Sequence, residues 1–279
     1  MHYLIKIVFR DFREKCILND MLLNVSCSLE FSSETTVPSI FMLHPQSGNA
    51  QFVVRNELLT TPYTPVIEFP DIYRNLCQRI IIPAGSFKVE SRALVDCSDT
   101  IDVNMYASWI PMPELPDHVL QFLLPSRYCE SDKFADLAIK LTEGCAPGYQ
   151  QVDAICKWIN GSIRYEYGTT NSSTSAADVL ATKVGVCRDF THLGITLCRG
   201  LDIPARMVAG YLYDLKPMDL HAWFEAYIGG RWYCFDATQR EPKGGRIVLA
   251  YGRDAADVAF VSHFGNAVLK EMIVNVQSA

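Results

Sequence analysis

Three residues in the second half of the chain have side chains that could do nucleophilic chemistry together. They are Cys187 in "KVGVCRDF", His221 in "HAWFEAY" and Asp236 in "WYCFDAT". A thiol attacks a carbonyl carbon as its thiolate, which needs a positive environment or a nearby base. The first turn of a helix supplies such an environment through unpaired N–H groups and the positive end of the dipole. Behind Cys187, Phe190, Leu193, Leu197 and Leu201 recur at helical spacing, which predicts a helix beginning near Val186. Gly185 would let the backbone turn tightly before the sulfur, and Gly194 would admit a neighbouring sheet.

A base must then reach the thiol. His192 is nearest in sequence, but five helical residues rotate it by about 140° from Cys187. His221 is placed differently, by a hairpin. "HAWFEAYI" and "RWYCFDAT" flank Gly229-Gly230, a strong two-residue turn signal. With that loop Ile228 faces Arg231, and counting back sets His221 opposite Thr238 with Asp236 as its diagonal neighbour on the same face. A slip of one residue would send Asp236 to the other face. The result is an imidazole oriented by a carboxylate, which is how a nucleophile–base–orienter triad works. Singly, each residue has a plainer reading: a small buried thiol, a satisfied histidine, a turn aspartate. The combination of all three favours chemistry.

The elements that must position these groups fall into two regions. Up to about residue 110, "LLNVSCSLEF", "QFVVRNELL", "CQRIIIPAG" and "SFKVESRALVDCS" alternate apolar and polar residues between turn formers. This predicts a β-sandwich or small barrel. His44, in "HPQSGN", reads as a solvated turn residue. "IPMPELPDHV" carries three prolines and reads as a junction. After it come helical patterns in "SDKFADLAIKLTEG", capped by Ser131 or Asp132, and in "YQQVDAICKWINGSI", followed by a polar loop before Cys187. "DIPARMVAGYLYDL", the hairpin, "RIVLAYG" and "VLKEMIVNVQ" supply strands. The fold class is therefore α+β: a β-rich domain over 1–112, then helices packed on an antiparallel sheet over 113–279.

Composition narrows the partners. The 279 residues carry a net charge of −6 and no Lys/Arg block, which disfavours nucleic acid and anionic membranes. The N-terminal "MHYLIKIVFRDFREKC" is too short in apolar residues for a secretory leader, and no run is long enough for a membrane span. A cytoplasmic protein with reduced thiols follows as the expectation. Its ten cysteines include no C-x-x-C pair, so no structural zinc is expected, nor any other metal or cofactor. Several other side chains invite roles. Arg188 and Trp223 are candidate cleft-lining residues, Trp223 sharing that reading with Trp232. Arg206, Asp254 and Asp257 could touch a substrate or serve as structural ion pairs, and Asp189 suits the helix dipole.

"GVCRDFTHLGITLCRGLDIPARMVAGY", "HAWFEAY" and "WYCFDAT" resemble the transglutaminase-like superfamily, relatives of papain with a Cys-His-Asp core. "LLPSRYCESDKFADLA" and "YGRDAADV" are similar to the bacterial branch, which includes cysteine proteases and places a β-rich domain ahead of the catalytic one. The resemblance implies Cys187 as nucleophile, His221 as general base and then acid, and Asp236 as orienter. It implies acyl transfer from an amide of a peptide, protein or small molecule through a thioester, resolved by water or by an amine. The Cys187 N–H would be an oxyanion donor. Arg188 stands where animal transglutaminases have Trp, and the dense acidic loops that bind their calcium are missing. The zinc pairs of peptide N-glycanases and the local motif of arylamine acetyltransferases are missing too. The alternative is a non-catalytic peptide-binding module of the same fold, whose usual mark is a lost triad residue.

Overall fold

A computed structural model describes residues 20–48 and 51–279. The N-terminal "MHYLIKIVFRDFREKC" and its Cys16 lie outside the described residues. Six strands come first: β1 (Asp20–Ser33), β2 (Val37–Phe41), β3 (Gln51–Thr61), β4 (Ile67–Pro70), β5 (Leu76–Ile82) and β6 (Gly85–Ser98). The short helices α1 (Asp117–Leu120) and α2 (Ala135–Leu141) follow, then α3 (Tyr149–Ser162). A two-residue strand β7 (Arg164–Tyr165), α4 (Ala176–Thr182) and β8 (Val184–Gly185) lead into α5 (Cys187–Arg199). The chain ends with β9 (Ala205–Leu212), β10 (His221–Ile228), β11 (Arg231–Phe235), β12 (Arg246–Gly252), β13 (Val261–His263) and β14 (Val268–Ser278).

Two four-stranded sheets form the sandwich, in the orders β14-β1-β6-β3 and β13-β2-β5-β4. Alternation explains which faces meet. Leu23, Val25, Cys27, Leu29 and Phe31 of β1 all point inward and are buried with Phe41, Ile80, Ile82, Phe87 and Val89. A third sheet, β11-β10-β9-β12, is wholly antiparallel and carries α5 on one face. The α+β class is thus observed.

The boundary between the two regions differs from the expected split at 112/113. Strand β14 pairs with β1 and β13 pairs with β2, so the last twenty or so residues belong to the sandwich. Tyr211, Ile247 and Leu249 also enter the sandwich core, joining it to the third sheet. The alternating pattern of "VLKEMIVNVQ" requires an inward face, met by Val274 and Val276, but it does not say which sheet provides it. The proline-rich junction is also tied down. Leu115 and Val119 pack against Tyr227, and His44, expected in solvent, is 6% exposed with its Nδ1 2.8 Å from Glu68 Oε1.

Helix α5 explains the largest local departure. The sequence shows one apolar stripe, yet every residue from Asp189 to Arg199 is buried. The helix lies between the third sheet and α2, α3 and α4, so its polar face is also covered and must be satisfied internally. Arg199 donates to the carbonyls of Ala205, Leu124 and Arg253, and His192 Nε2 accepts from the Ala255 N–H at 3.1 Å. Gly194 is required here because a Cβ would run into the Phe224 ring of β10. Among the described residues no helix is long and apolar enough to cross a membrane.

Candidate active site

Cys187 is the first residue of α5, with Val186 as the N-cap. Valine has no side-chain acceptor, so the cap is supplied from within the helix. Asp189 reaches back and its Oδ2 accepts from the Val186 N–H at 2.9 Å. That carboxylate explains Gly185 in a way the sequence did not. The φ of Gly185 is unexceptional, but a Cβ there would sit 2.8 Å from Asp189 Cβ and 3.2 Å from Oδ2. Close approach selects glycine at this position, and turn geometry has no part in it.

Asp189 also ties down the segment that precedes Cys187. Its Oδ2 accepts from Thr170 Oγ1 at 2.7 Å, and its Oδ1 accepts from Arg188 Nε and Nη2 at 3.2 and 2.8 Å. Arg188 Nη2 further donates to the Asn171 carbonyl at 2.6 Å. The Arg188 side chain, 24% exposed, therefore latches the polar loop onto the helix start. Parallel pairing of β7 with β8 sets Tyr165 opposite Gly185. Tyr165 lies close to the Cys187 backbone and is 40% exposed. Burial, the charge of Cys187 and the neighbouring Tyr167 hold the phenol well above its usual range, so it stays protonated. Nothing in the sequence singled out Tyr165, because its proximity to Cys187 comes from a two-residue ladder.

His221 opens β10 and pairs with Gly210 of β9. The hairpin has the expected register, with Ile228 opposite Arg231 and Phe224 opposite Phe235. The ladder ends at Phe235, however, so Thr238 does not face His221. Instead the Thr238 N–H and Oγ1 donate to Asp236 Oδ1 at 3.0 and 2.7 Å, in a turn built on the aspartate. The other carboxylate oxygen, Oδ2, lies 2.7 Å from His221 Nε2. Nδ1 is then the ring nitrogen left for the Cys187 thiol, whose nearness also raises the imidazole pKa.

The surroundings set the charges. His221 and Asp236 are 2% and 3% exposed. Burial alone would lower the His221 pKa, but the charge and hydrogen bond of Asp236, with the bond from Cys187, outweigh it and raise the value to about 9. Burial pushes the Asp236 carboxyl up, yet Arg246 and His221 hold it well below the usual carboxylate range. Arg246 Nη2 donates to Asp236 Oδ2 at 2.9 Å, making a buried Arg–Asp–His trio. Arg246 does not stand out in the sequence. Its only signal is an arginine opening an apolar strand, which is common at strand ends.

Trp223 does not line a cleft. It is 1% exposed, packs on Val208 and Val248, and lies 5.0 Å under the Arg246 guanidinium. Trp232 is instead stacked with Arg206, which lies 4.2 Å from its centroid and 4.0 Å from that of Tyr251, and pairs with Glu225 at 2.6 Å. Asp254 accepts from the Tyr128 N–H at 2.8 Å, and Asp257 binds Arg253 and Tyr73. His192 is stacked on Tyr128, and burial drives its pKa down to about 4. These are structural contacts.

The transglutaminase-like superfamily domain model matches residues 135–237, a span holding Cys187, His221 and Asp236. The crystal structure of a candidate cysteine protease from Cytophaga hutchinsonii aligns with 93% of this chain and 91% of its own, at 39% identity and a TM-score of 0.88. The chain belongs to the transglutaminase-like superfamily. An uncharacterized protein of Mycobacterium leprae is 27% identical over 231 residues, covering 78% of this chain and 82% of that protein. An uncharacterized protein of Mycobacterium tuberculosis is 35% identical over 109 residues, which are 34% of this chain and 35% of the relative. The long match to the Cytophaga structure takes in the sandwich as well as the Cys-His-Asp region.

Proposed function

We propose that the protein is a thiol-dependent acyl-transfer enzyme that cleaves amide bonds of peptides or small amides by hydrolysis. The observation carrying this reading is His221 held between the Cys187 thiol and the buried Asp236 carboxylate, 2.7 Å away. His221, made more basic by the Asp236 carboxylate, takes the proton from the Cys187 thiol. Sγ attacks the amide carbonyl carbon, and the oxygen becomes an oxyanion. The Cys187 N–H at the helix start donates to it, and the protonated Tyr165 hydroxyl is close enough to be the second donor. As the tetrahedral centre collapses, His221 Nδ1 gives its proton to the leaving nitrogen. Water, deprotonated by the same nitrogen, then resolves the thioester.

Hydrolysis is favoured over transamidation because the relative matched over nine-tenths of its length is a candidate cysteine protease. The test is incubation with a glutamine-containing peptide and with short peptide amides, with and without a primary amine, followed by mass analysis. Acid products in both mixtures support hydrolysis. Amine adducts as the main product would replace it by transamidation. No product from any substrate, with Cys187→Ala indistinguishable from the wild type in thiol labelling rate, would leave a binding module as the reading.

A further inference from the structure

A cavity of about 150 Å³ opens between α3, the edge strand β11 and the segment from Gln239 to Pro242. Asp236 and Arg246 both line it, so it adjoins the carboxylate that holds His221. Arg246 is 7% exposed and incompletely satisfied. Its Nε donates to the Lys243 carbonyl at 3.0 Å and its Nη2 to Asp236 at 2.9 Å, while its Nη1 is buried without a hydrogen-bond partner. A buried donor left in that state costs about 1–3 kcal/mol, and an arginine N–H gains most from a charged oxygen acceptor.

The other charges of the cavity point the same way. Asp153 is committed to Lys157 at 2.6 Å, and Asp236 is committed to His221 and Arg246. Arg240 also lines the cavity and forms none of the ion pairs of the described residues. Glu241 is exposed at the rim. Arg240 is thus the cavity's unpaired positive charge, beside a space equal to roughly five waters at about 30 Å³ each. That volume takes a short carboxylate or an inorganic phosphate.

We infer that this cavity is a binding site for a small oxyanion, with the Arg240 and Arg246 guanidinium groups as its donors. An occupant shares Arg246 with Asp236 and therefore touches the group that orients His221 without entering the nucleophile's own surroundings. The inference concerns binding and stands whether or not the chain turns over an amide.

The experiment titrates the full chain with sodium phosphate and, separately, sodium acetate, against sodium chloride at matched ionic strength. The thermal midpoint and the arginine side-chain N–H resonances are followed. The expected result is a saturable rise in midpoint and a shifted guanidinium resonance with at least one oxyanion, absent with chloride. Arg240→Glu, on an exposed residue that leaves the core intact, should weaken the apparent affinity at least tenfold. Phosphate alone, or acetate alone, giving this response identifies the preferred oxyanion. Equal responses to all three salts, or unchanged affinity in Arg240→Glu, overturn the inference.

Discussion

Replacing Asp236 by Asn keeps the shape of the side chain and removes one charge from a buried trio. The three side chains are 2% exposed for His221, 3% for Asp236 and 7% for Arg246, so solvent screens them little. Raising His221 from its ordinary 6.5 to about 9 corresponds to about 3 kcal/mol, at roughly 1.4 kcal/mol for each pH unit. The folded-state value lies above the unfolded one. This stability is therefore complete below pH 6.5 and is lost as the pH rises through about 9. In Asp236→Asn the burial of the imidazole remains and only Cys187 is left to oppose it, so the ring titrates well below about 9 and most of this pH-dependent stability is lost.

Urea unfolding of both proteins near pH 6 and again above pH 9 reads the effect. Thiols, phenols and lysines away from His221 also titrate over this range, but they are common to both proteins and cancel in the difference. The gap in unfolding free energy between wild type and variant should be larger near pH 6 by about 3 kcal/mol. Stranding Arg246 without its counter-charge adds about 3–5 kcal/mol at either pH and does not change that comparison. If the single variant does not fold, Asp236→Asn with Arg246→Gln keeps the comparison, because it removes the stranded charge. An equal gap at both pH values would refute the Asp236–His221 coupling argued above.

Three further outcomes follow from named contacts. At about pH 6.5 an ordinary thiol of pKa about 8.5 is only about 1% thiolate, so iodoacetamide should label Cys187 at least tenfold faster than that fraction allows; His221→Ala should abolish the excess. Gly194→Ala drives a Cβ into the Phe224 ring and should cost about 1–3 kcal/mol in urea unfolding, unless the ring can move aside. Thr170→Val deletes the 2.7 Å bond to Asp189, so hydrogen exchange in residues 166–175 should speed up by roughly fivefold, the equivalent of about 1 kcal/mol.

Much of this arrangement is legible in local pattern. The Gly229-Gly230 turn sets the register of β10 against β11, because two residues in left-handed geometry close only one pairing. The apolar spacing behind Cys187 sets the start of α5 for a similar reason: side-chain periodicity is a property of the chain itself. What local pattern could not show were contacts among residues distant in sequence. Trp223 read as a cleft aromatic because hydropathy cannot tell a wall from a core, and Arg188 read as substrate-facing because its partner, the Asn171 carbonyl, has no side-chain signature. Tyr165 gave no signal, and Arg246 gave only that of an arginine opening an apolar strand.

By itself, the sequence determined the α+β class, the helix start at Cys187 and the hairpin that carries His221, since each depends on turn chemistry and periodicity within a few tens of residues. Only the tertiary structure decided that β14 returns to the first sandwich sheet and that α5 is covered on every side. It also decided that Arg246 stands behind Asp236 and that Asp189 holds the polar loop. Those outcomes depend on which buried faces and charges meet, and that choice is made by the packing of the whole chain.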